Sequence, residues 1–417
     1  MRLLVVSQYF WPENFRINDL VAELVRRGHQ VTVLTGLPNY PDGKIFPSFL
    51  ADPSHFYHYE GAEVIRVGLL PRGKGGVRLI LNYLSFAGSA CTAGLWKLRG
   101  RRFDAIFAYE PSPITVGLPA VALRAVKRTP LVFWVLDLWP ETLQAIGVVR
   151  SRALLFAVGK LVTFIYRRCD LILAQSRSFV GHIRKYAGPG SQVLYFPSWA
   201  ESVFDIKRAV PAEAIRVKPG GFSVMFAGNI GDAQDFPAIL AAAENLKSHA
   251  HIRWLIVGDG RVAQWVSDEI VRRGLGNCVH MFGRHPVESM PAFFKHADAL
   301  LVSLKDGPIF SMTIPGKLQS YLAAGLPVLA MLNGEGAEVV RDAGAGLTCA
   351  AGDYHGLADA VLKLSEMTPQ ERTVMGRNGL DLSKRQFNRD TLIDRLEQWI
   401  GQLTTDGKSG SVSRIAQ

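Results

Sequence analysis

The segment Thr313-Ile314-Pro315-Gly316-Lys317 is where residue type and spacing carry the most chemistry. Pro-Gly predicts a loop that opens a helix, with Lys317 in its first turn. A lysine there opposes the helix dipole and lies beside unpaired backbone N–H groups, so an anion held between them explains the placement. Gly228-Asn229-Ile230-Gly231 follows an apolar run and precedes a helical pattern, a place that favours a phosphate; a plain tight turn is the alternative. Gly258-Asp259-Gly260 holds only half of a dinucleotide fingerprint and lacks its downstream acid, which argues against an NAD enzyme. In the first half, Asp137 follows the apolar run 131–136, where it either caps or acts on a substrate, and Trp139-Pro140 predicts a shaped loop after it. Glu13 and Arg16 stand in the first strand-to-helix loop. There is no Asp-x-Asp pair and no His or Cys cluster of metal-ligand spacing, so no metal is expected; His29 reads as a turn residue.

The elements that must position these groups alternate between strand and helix. Residues 3–6 are an apolar run, and Ile17, Leu20, Val21, Leu24 and Val25 recur at helical spacing before Gly28-His29 and a second run at 31–34. Further runs fall at 64–67, 105–108, 131–136 and 171–174, with helical patterns between them. A second unit begins after about residue 200 and repeats the alternation at 223–227, 252–257, 279–282, 299–302 and 327–330. This predicts an α/β fold of two doubly wound, Rossmann-like domains, with ligands beyond the carboxyl ends of the strands. The divisions expected are 1–200, 201–385, a C-terminal helix over 386–403 packing back toward the first domain, and a disordered tail over 404–417. A chain of 417 residues, 48% hydrophobic, has enough apolar surface for two cores. Four scattered cysteines suit a reducing compartment, and the opening is too short for a signal-peptide core, so a cytoplasmic location is expected.

Charge is unevenly placed. Residues 1–200 hold 24 Lys and Arg against 12 Asp and Glu, and residues 201–417 hold 23 against 24. A one-sided basic domain points to an anionic partner, here a membrane surface or a phosphorylated substrate. No nucleic-acid motif accompanies the charge, so nucleic acid is not expected. The uncharged stretch 79–96 contains too many polar and small residues for a good membrane span; a buried or interfacial helix is expected, with Lys97, Arg99, Arg101 and Arg102 after it. Arg150, Arg152, Arg167 and Arg168 bracket a second apolar stretch, and Gly73-Lys74-Gly75-Gly76 reads as a flexible loop.

Taken together, Ser7-Gln8-Tyr9-Phe10-Trp11-Pro12-Glu13, Arg27-Gly28-His29, Asp137-Leu138-Trp139-Pro140-Glu141, the 228–231 turn with Ala233-Gln234, and Pro315-Gly316-Lys317 resemble the retaining GT-B glycosyltransferases of family 4 over nearly the whole chain. The combination is similar to the WbuB-like branch, which includes the N-acetyl-L-fucosamine transferases of bacterial polysaccharide synthesis. The resemblance implies two domains facing a cleft, a metal-free reaction, and a UDP-sugar donor on the C-terminal domain. It implies a polyprenyl-pyrophosphate-linked saccharide as acceptor on the N-terminal domain, peripheral to the inner face of the cytoplasmic membrane. Catalysis is expected of Asp137 and Lys317. Donor binding is expected of Gly228, Asn229, Ile230, Gly231, Gln234, Gly258, Asp306, Lys317, Gln319 and Ser320; acceptor binding is expected of Glu13, Asn14, Arg16, Glu110, Trp139 and Glu141.

The sequence departs from the family where many members carry two glutamates with seven residues between them. Met312 and Ser320 stand there, so the ribose contact must move to Gln319 or Ser320, and Asp306 could replace the first acid. Asn229 and Gln234 replace a common Arg and Lys, which puts more weight on Lys317. A GT-B epimerase and a non-catalytic nucleotide-sugar or membrane-surface binding protein are the rival functions.

Overall fold

The apolar runs become strands buried on both faces, as the wholly buried Leu131–Val135 shows, and such continuous runs are characteristic of parallel sheets covered by helices. The computed structural model describes residues 1–73, 75–145, 149, 151–200 and 220–409. Contacts group the chain into two units, Met1–Pro197 with Asp390–Gln417, and Ser198–Arg389. The expected domain start at 201 and the expected tail beyond 409 lie outside the described residues, as do Lys74 and Arg150.

The first unit contains β1 (Arg2–Val6), β2 (Gln30–Thr35), β3 (His58–Tyr59), β4 (Ala62–Arg66), β5 (Ala105–Glu110), β6 (Leu131–Val135), β7 (Leu171–Ala174) and β8 (Val193–Tyr195). Their order is β3-β4-β2-β1-β5-β6-β7-β8, all parallel except the short β3–β4 pair. The chain turns from one side of β1 to the other, so the switch point lies between β1 and β5. Asp137 follows β6 and Glu110 ends β5.

The second unit contains β9 (Phe222–Ala227), β10 (Ile252–Val257), β11 (Val279–Gly283), β12 (Ala299–Ser303), β13 (Val328–Met331) and β14 (Gly346–Cys349), in the order β11-β10-β9-β12-β13-β14 and all parallel. Its period of two is visible in the core: Val224 and Phe226 pack into one helix layer, Met225 and Ala227 into the other. Here the switch point lies between β9 and β12, with the 228–231 turn on one side of it.

Two helices differ from expectation. Residues 76–97 form one continuous helical stretch, an α-helix (Gly76–Ser89), a π-turn (Ala90–Gly94) and a last α-turn (Leu95–Lys97). Among the described residues it is the one helix long and apolar enough to cross a membrane by length and composition, and only 28% of it is buried. The last helix runs Arg389–Ser409, so the tail expected from 404 is helical as far as 409. Thr404 and Thr405 donate their hydroxyls back to the carbonyls of Gly401 and Gln402, which a polar composition does not reveal. This helix groups with the first unit. Arg27 bonds Asp394 at 2.5 Å and Glu397 at 2.7 Å, and His29 Nε2 meets Glu397 Oε1 at 2.5 Å, which gives His29 a partner beyond its turn.

Candidate active site

In the second unit, Pro315 precedes the helix Gly316–Ala324 and Lys317 occupies its first turn. The Lys317 stem is half-buried and its ammonium enclosed, without a hydrogen-bond partner among the described residues. Nζ stands 3.6 Å over the Phe226 ring centroid, near the carboxyl end of β9. Burial lowers its pKa to about 7. One turn on, Tyr321 accepts from the N–H of Ala227 at 2.9 Å and donates to the Ala227 carbonyl at 3.0 Å. Those two bonds clamp the helix that carries Lys317 to the end of β9. Tyr321 was not singled out from the sequence, although its spacing of four from Lys317 puts both on one helix face.

Gly228 has φ of +137°, and a Cβ added there would lie 3.2 Å from Lys317 Nζ; Gly258 at +141° would place one 1.9 Å from the Gly228 carbonyl. Gly258 is thus dictated by the close approach of the β9 and β10 loops, and Gly228 by its positive φ, since its neighbour is the flexible end of Lys317. The turn itself differs from the expected bare helix start. Gly228 N–H donates to Val257, Ile230 N–H to Asp259, and Gly231 N–H to Gln234 Oε1 at 3.1 Å. A 3₁₀ turn (Asp232–Gln234) follows, and the α-helix begins only at Phe236. Among the described residues, Asn229 has the one amide of this turn left without a partner. The free helix N-terminus belongs instead to Gly316 and Lys317.

The other donor-side residues brace this frame. Gln319 is fully buried, and its amide nitrogen, oriented by its surroundings, donates to the carbonyls of Pro315 and Gly316 at 3.0 Å. It therefore holds the Pro-Gly turn, which corrects its expected use on a ribose. Ser320 is buried beside it. Asp306 is exposed and accepts from Asn333 at 2.8 Å, while Asn333 Oδ1 accepts from the amide of Ala351, tying the loops after β12, β13 and β14 together. The 305–314 segment is shaped by a short helix, Pro308–Met312.

In the first unit, Asp137 is half-buried and accepts from Thr142 Oγ1 at 2.5 Å. Burial raises its pKa to about 6, against the pull of Thr142, the Leu138 amide and the Trp139 indole. The ring of Trp139 is buried edge-on to Tyr83 at 6.3 Å. Glu110 is completely enclosed and, among the described residues, neither of its carboxyl oxygens has a hydrogen-bond partner. Two expected acceptor contacts are corrected by the geometry, Glu110 because its carboxyl is enclosed and Glu13 because its oxygens are taken up by backbone amides. Glu13 is buried with both oxygens on backbone amides, Asn39 at 2.8 Å, Tyr40 at 2.7 Å and Phe10 at 3.2 Å, so it fastens two loops together. Glu141 Oε1 accepts from Tyr186 at 2.8 Å and lies 2.9 Å from His182, facing the helix Arg177–Ala187, while Oε2 is buried and, among the described residues, has no partner. Asn14 is exposed, and Arg16 begins the helix Arg16–Arg26.

Two doubly wound parallel sheets, the second with an enclosed cation at its switch point, form the architecture of a GT-B glycosyltransferase. Residues 14–199 match the family described as Glycosyl transferase 4-like domain and residues 221–367 match Glycosyl transferases group 1, and the chain is a glycosyltransferase carrying these two domains. WcaI of Escherichia coli (strain K12), a glycosyl transferase assigned to colanic acid biosynthesis, is 26% identical over 341 residues, covering 78% of this chain and 82% of that protein. Glycogen synthase of Mycobacterium tuberculosis is 25% identical over 378 residues, 87% of this chain and 85% of that one. Among solved structures, Anabaena HepE in complex with UDP-glucose superposes with a TM-score of 0.69 at 16% identity, covering 96% of this chain and 100% of that one. WaaG, a glycosyltransferase of lipopolysaccharide biosynthesis, gives 0.65 at 15%, with 97% and 100% covered. At these identities the structural likeness is one of fold.

Proposed function

We propose that this glycosyltransferase moves a sugar, with retention, from a UDP-sugar to a polyprenyl-pyrophosphate-linked saccharide in bacterial surface polysaccharide synthesis. An N-acetylated amino sugar such as N-acetyl-L-fucosamine is the donor class that the WbuB-like resemblance favours. The observation that carries the reading is the enclosed, unpartnered ammonium of Lys317 at a helix start. A diphosphate supplies the anion that this arrangement lacks. As the bond from the anomeric carbon to the β-phosphate oxygen breaks, negative charge grows on that phosphate. Lys317 and the Gly316 and Lys317 amides stabilise it, and one such preorganised donor typically contributes about 3–4 kcal/mol. The acceptor hydroxyl then bonds to the anomeric carbon on the face the phosphate leaves, and its proton passes to the departing phosphate. Asp137 orients that hydroxyl. Among the described residues no group of three His, Cys, Asp or Glu is placed to hold a metal ion, and Lys317 fills the electrostatic role.

The acceptor's lipid character is supported by the first unit's surface. Val77, Leu84 and Trp96 on the 76–97 stretch are 74%, 53% and 63% exposed, and Phe156 on the helix Arg152–Tyr166 is 68% exposed. Cations border these side chains: Arg99 lies over Trp96, Lys160 over Phe156 and Arg168 over Phe164. Apolar side chains flanked by cations suit an anionic lipid interface on the cytoplasmic side. Mass spectrometry of products from a panel of UDP- and GDP-sugars, with and without lipid-pyrophosphate saccharides, tests the reading. A saccharide extended only when both substrates are present is expected. An altered nucleotide sugar formed from donor alone would make the protein an epimerase, and UDP binding without any product would make it a binding protein.

A further inference from the structure

Glu110 is a buried acid that this mechanism does not use. It ends β5, beside the switch point, and its backbone carbonyl accepts from the N–H of Leu136 at 3.0 Å on the way to Asp137. The side chain has no exposed surface, and among the described residues both oxygens lack a hydrogen-bond partner. No cation faces it. The groups that act on it are the carboxyl of Asp137, the Asp137 backbone amide and, more distantly, the phenol of Tyr166, itself buried and unpartnered. Burial first, and then the Asp137 charge, push the Glu110 carboxyl well above its ordinary range. The other residues of β5 are Ala, Ile, Phe, Ala and Tyr, all buried. A residue with packing alone to do at this site would be apolar too, because an unpartnered buried carboxyl destabilises the fold. Asp137, on the next strand's end, is half-exposed and held by Thr142. The two carboxyls are thus driven to different protonation states by their surroundings, a pattern by which neighbouring acids divide roles.

We propose that Glu110 is a positioning residue for sugar transfer, a neutral acid packed behind Asp137 that spares Asp137 a second negative neighbour and so keeps it an acceptor-orienting carboxylate. The inference rests on the assignment of Asp137 to the acceptor hydroxyl. It names no new contact with substrate, since Glu110 is enclosed.

Infrared difference spectroscopy on the full-length protein, wild type minus Glu110→Gln, tests the neutral acid without any substrate. The carbonyl stretch of a protonated carboxyl, persisting at about pH 8 and absent from Glu110→Gln, is expected. Loss of carboxylate bands alone would overturn the proposal. Steady-state kinetics then use UDP-N-acetylglucosamine and a short-chain polyprenyl-pyrophosphate N-acetylglucosamine, or the pair that the product panel identifies. Glu110→Gln should retain at least about ten times the kcat of Glu110→Ala, with its acid limb unmoved and UDP affinity unchanged in both. An acid limb displaced downward by about a unit or more in Glu110→Gln would show that Glu110 is charged in the working enzyme, against the proposal. Equal losses in Gln and Ala variants would also overturn it. A protein that shows the protonated band yet transfers no sugar would sink the functional reading and leave the neutral acid standing.

Discussion

Lys317 combines two properties that both disfavour its charge in the free protein. A charge at a helix start on the wrong side of the dipole is destabilising, and so is an enclosed ammonium without a partner, unless an anion arrives. Lys317→Ala is therefore expected to lower turnover by about two orders of magnitude with the fold intact; near-wild-type turnover at saturating donor would remove Lys317 from the site. The same burial makes donor binding pH-dependent. Burial places the free lysine at about 7, and a diphosphate binds its protonated form. Affinity should then be flat below that value and fall by up to about tenfold per pH unit above it, until the lysine of the complex itself titrates. Calorimetry with UDP-glucose from about pH 6 to about pH 9, in buffers of different ionisation enthalpy, should find proton uptake growing with pH. An affinity that stays constant across that range would contradict the assignment. Asp137 belongs to the other unit, so Asp137→Asn is expected to impair transfer far more than UDP binding. If both fall together, Asp137 holds the fold rather than the acceptor.

At the scale of elements, position depends on a few buried polar bonds between loops. Tyr321→Phe leaves the Ala227 N–H and carbonyl buried without a partner, and should lower stability by about 1–3 kcal/mol. Donor affinity should weaken with it, because Lys317 rides on the same helix. Urea unfolding and UDP titration of the variant check both effects; an unchanged midpoint would mean that the helix is held by packing alone. The interior strands were legible from their apolar runs. The edge strands β8 and β14 were not, since β8 is only three residues long and partly exposed, and β14 is partly exposed and mixes Gly and Thr into its four residues. The 228–231 turn also read differently, because the sequence shows a helix pattern but not that Gln234 takes the Gly231 amide.

For the whole molecule, the basic excess of the first half meets an apolar surface. Lys97 and Arg101 are engaged internally, with the Arg66 carbonyl and with Glu63. Arg99, Arg102 and Arg168 are the better candidates for lipid phosphates, each contributing about 1 kcal/mol on an anionic leaflet. Flotation with anionic vesicles should recover the protein, less so as salt rises and less in the Arg99→Ser, Arg102→Ser, Arg168→Ser variant. Equal recovery with neutral vesicles would withdraw support for a lipid-borne acceptor. Activity is also expected to survive chelation of divalent ions; loss restored by added magnesium or manganese would show a metal role that Lys317 does not fill.

The sequence by itself determined the alternation of strand and helix, the division into two units, Lys317 at a helix start and Asp137 at a strand end. Each of these follows from local periodicity and from residues with strong backbone preferences, which act over a few positions. Tertiary structure decided which polar groups are used up and which are left open. Glu13 and Gln319 looked like ligands for substrate because they are polar residues in the right places along the chain; their partners are backbone groups that only folding turns toward them, whereas Glu141 is engaged on one oxygen and open on the other. Glu110 and Lys317 differ from Glu13 and Gln319 in the same terms, being enclosed without a partner among the described residues. Burial and pairing depend on what distant strands bring alongside, and no spacing along the chain encodes that.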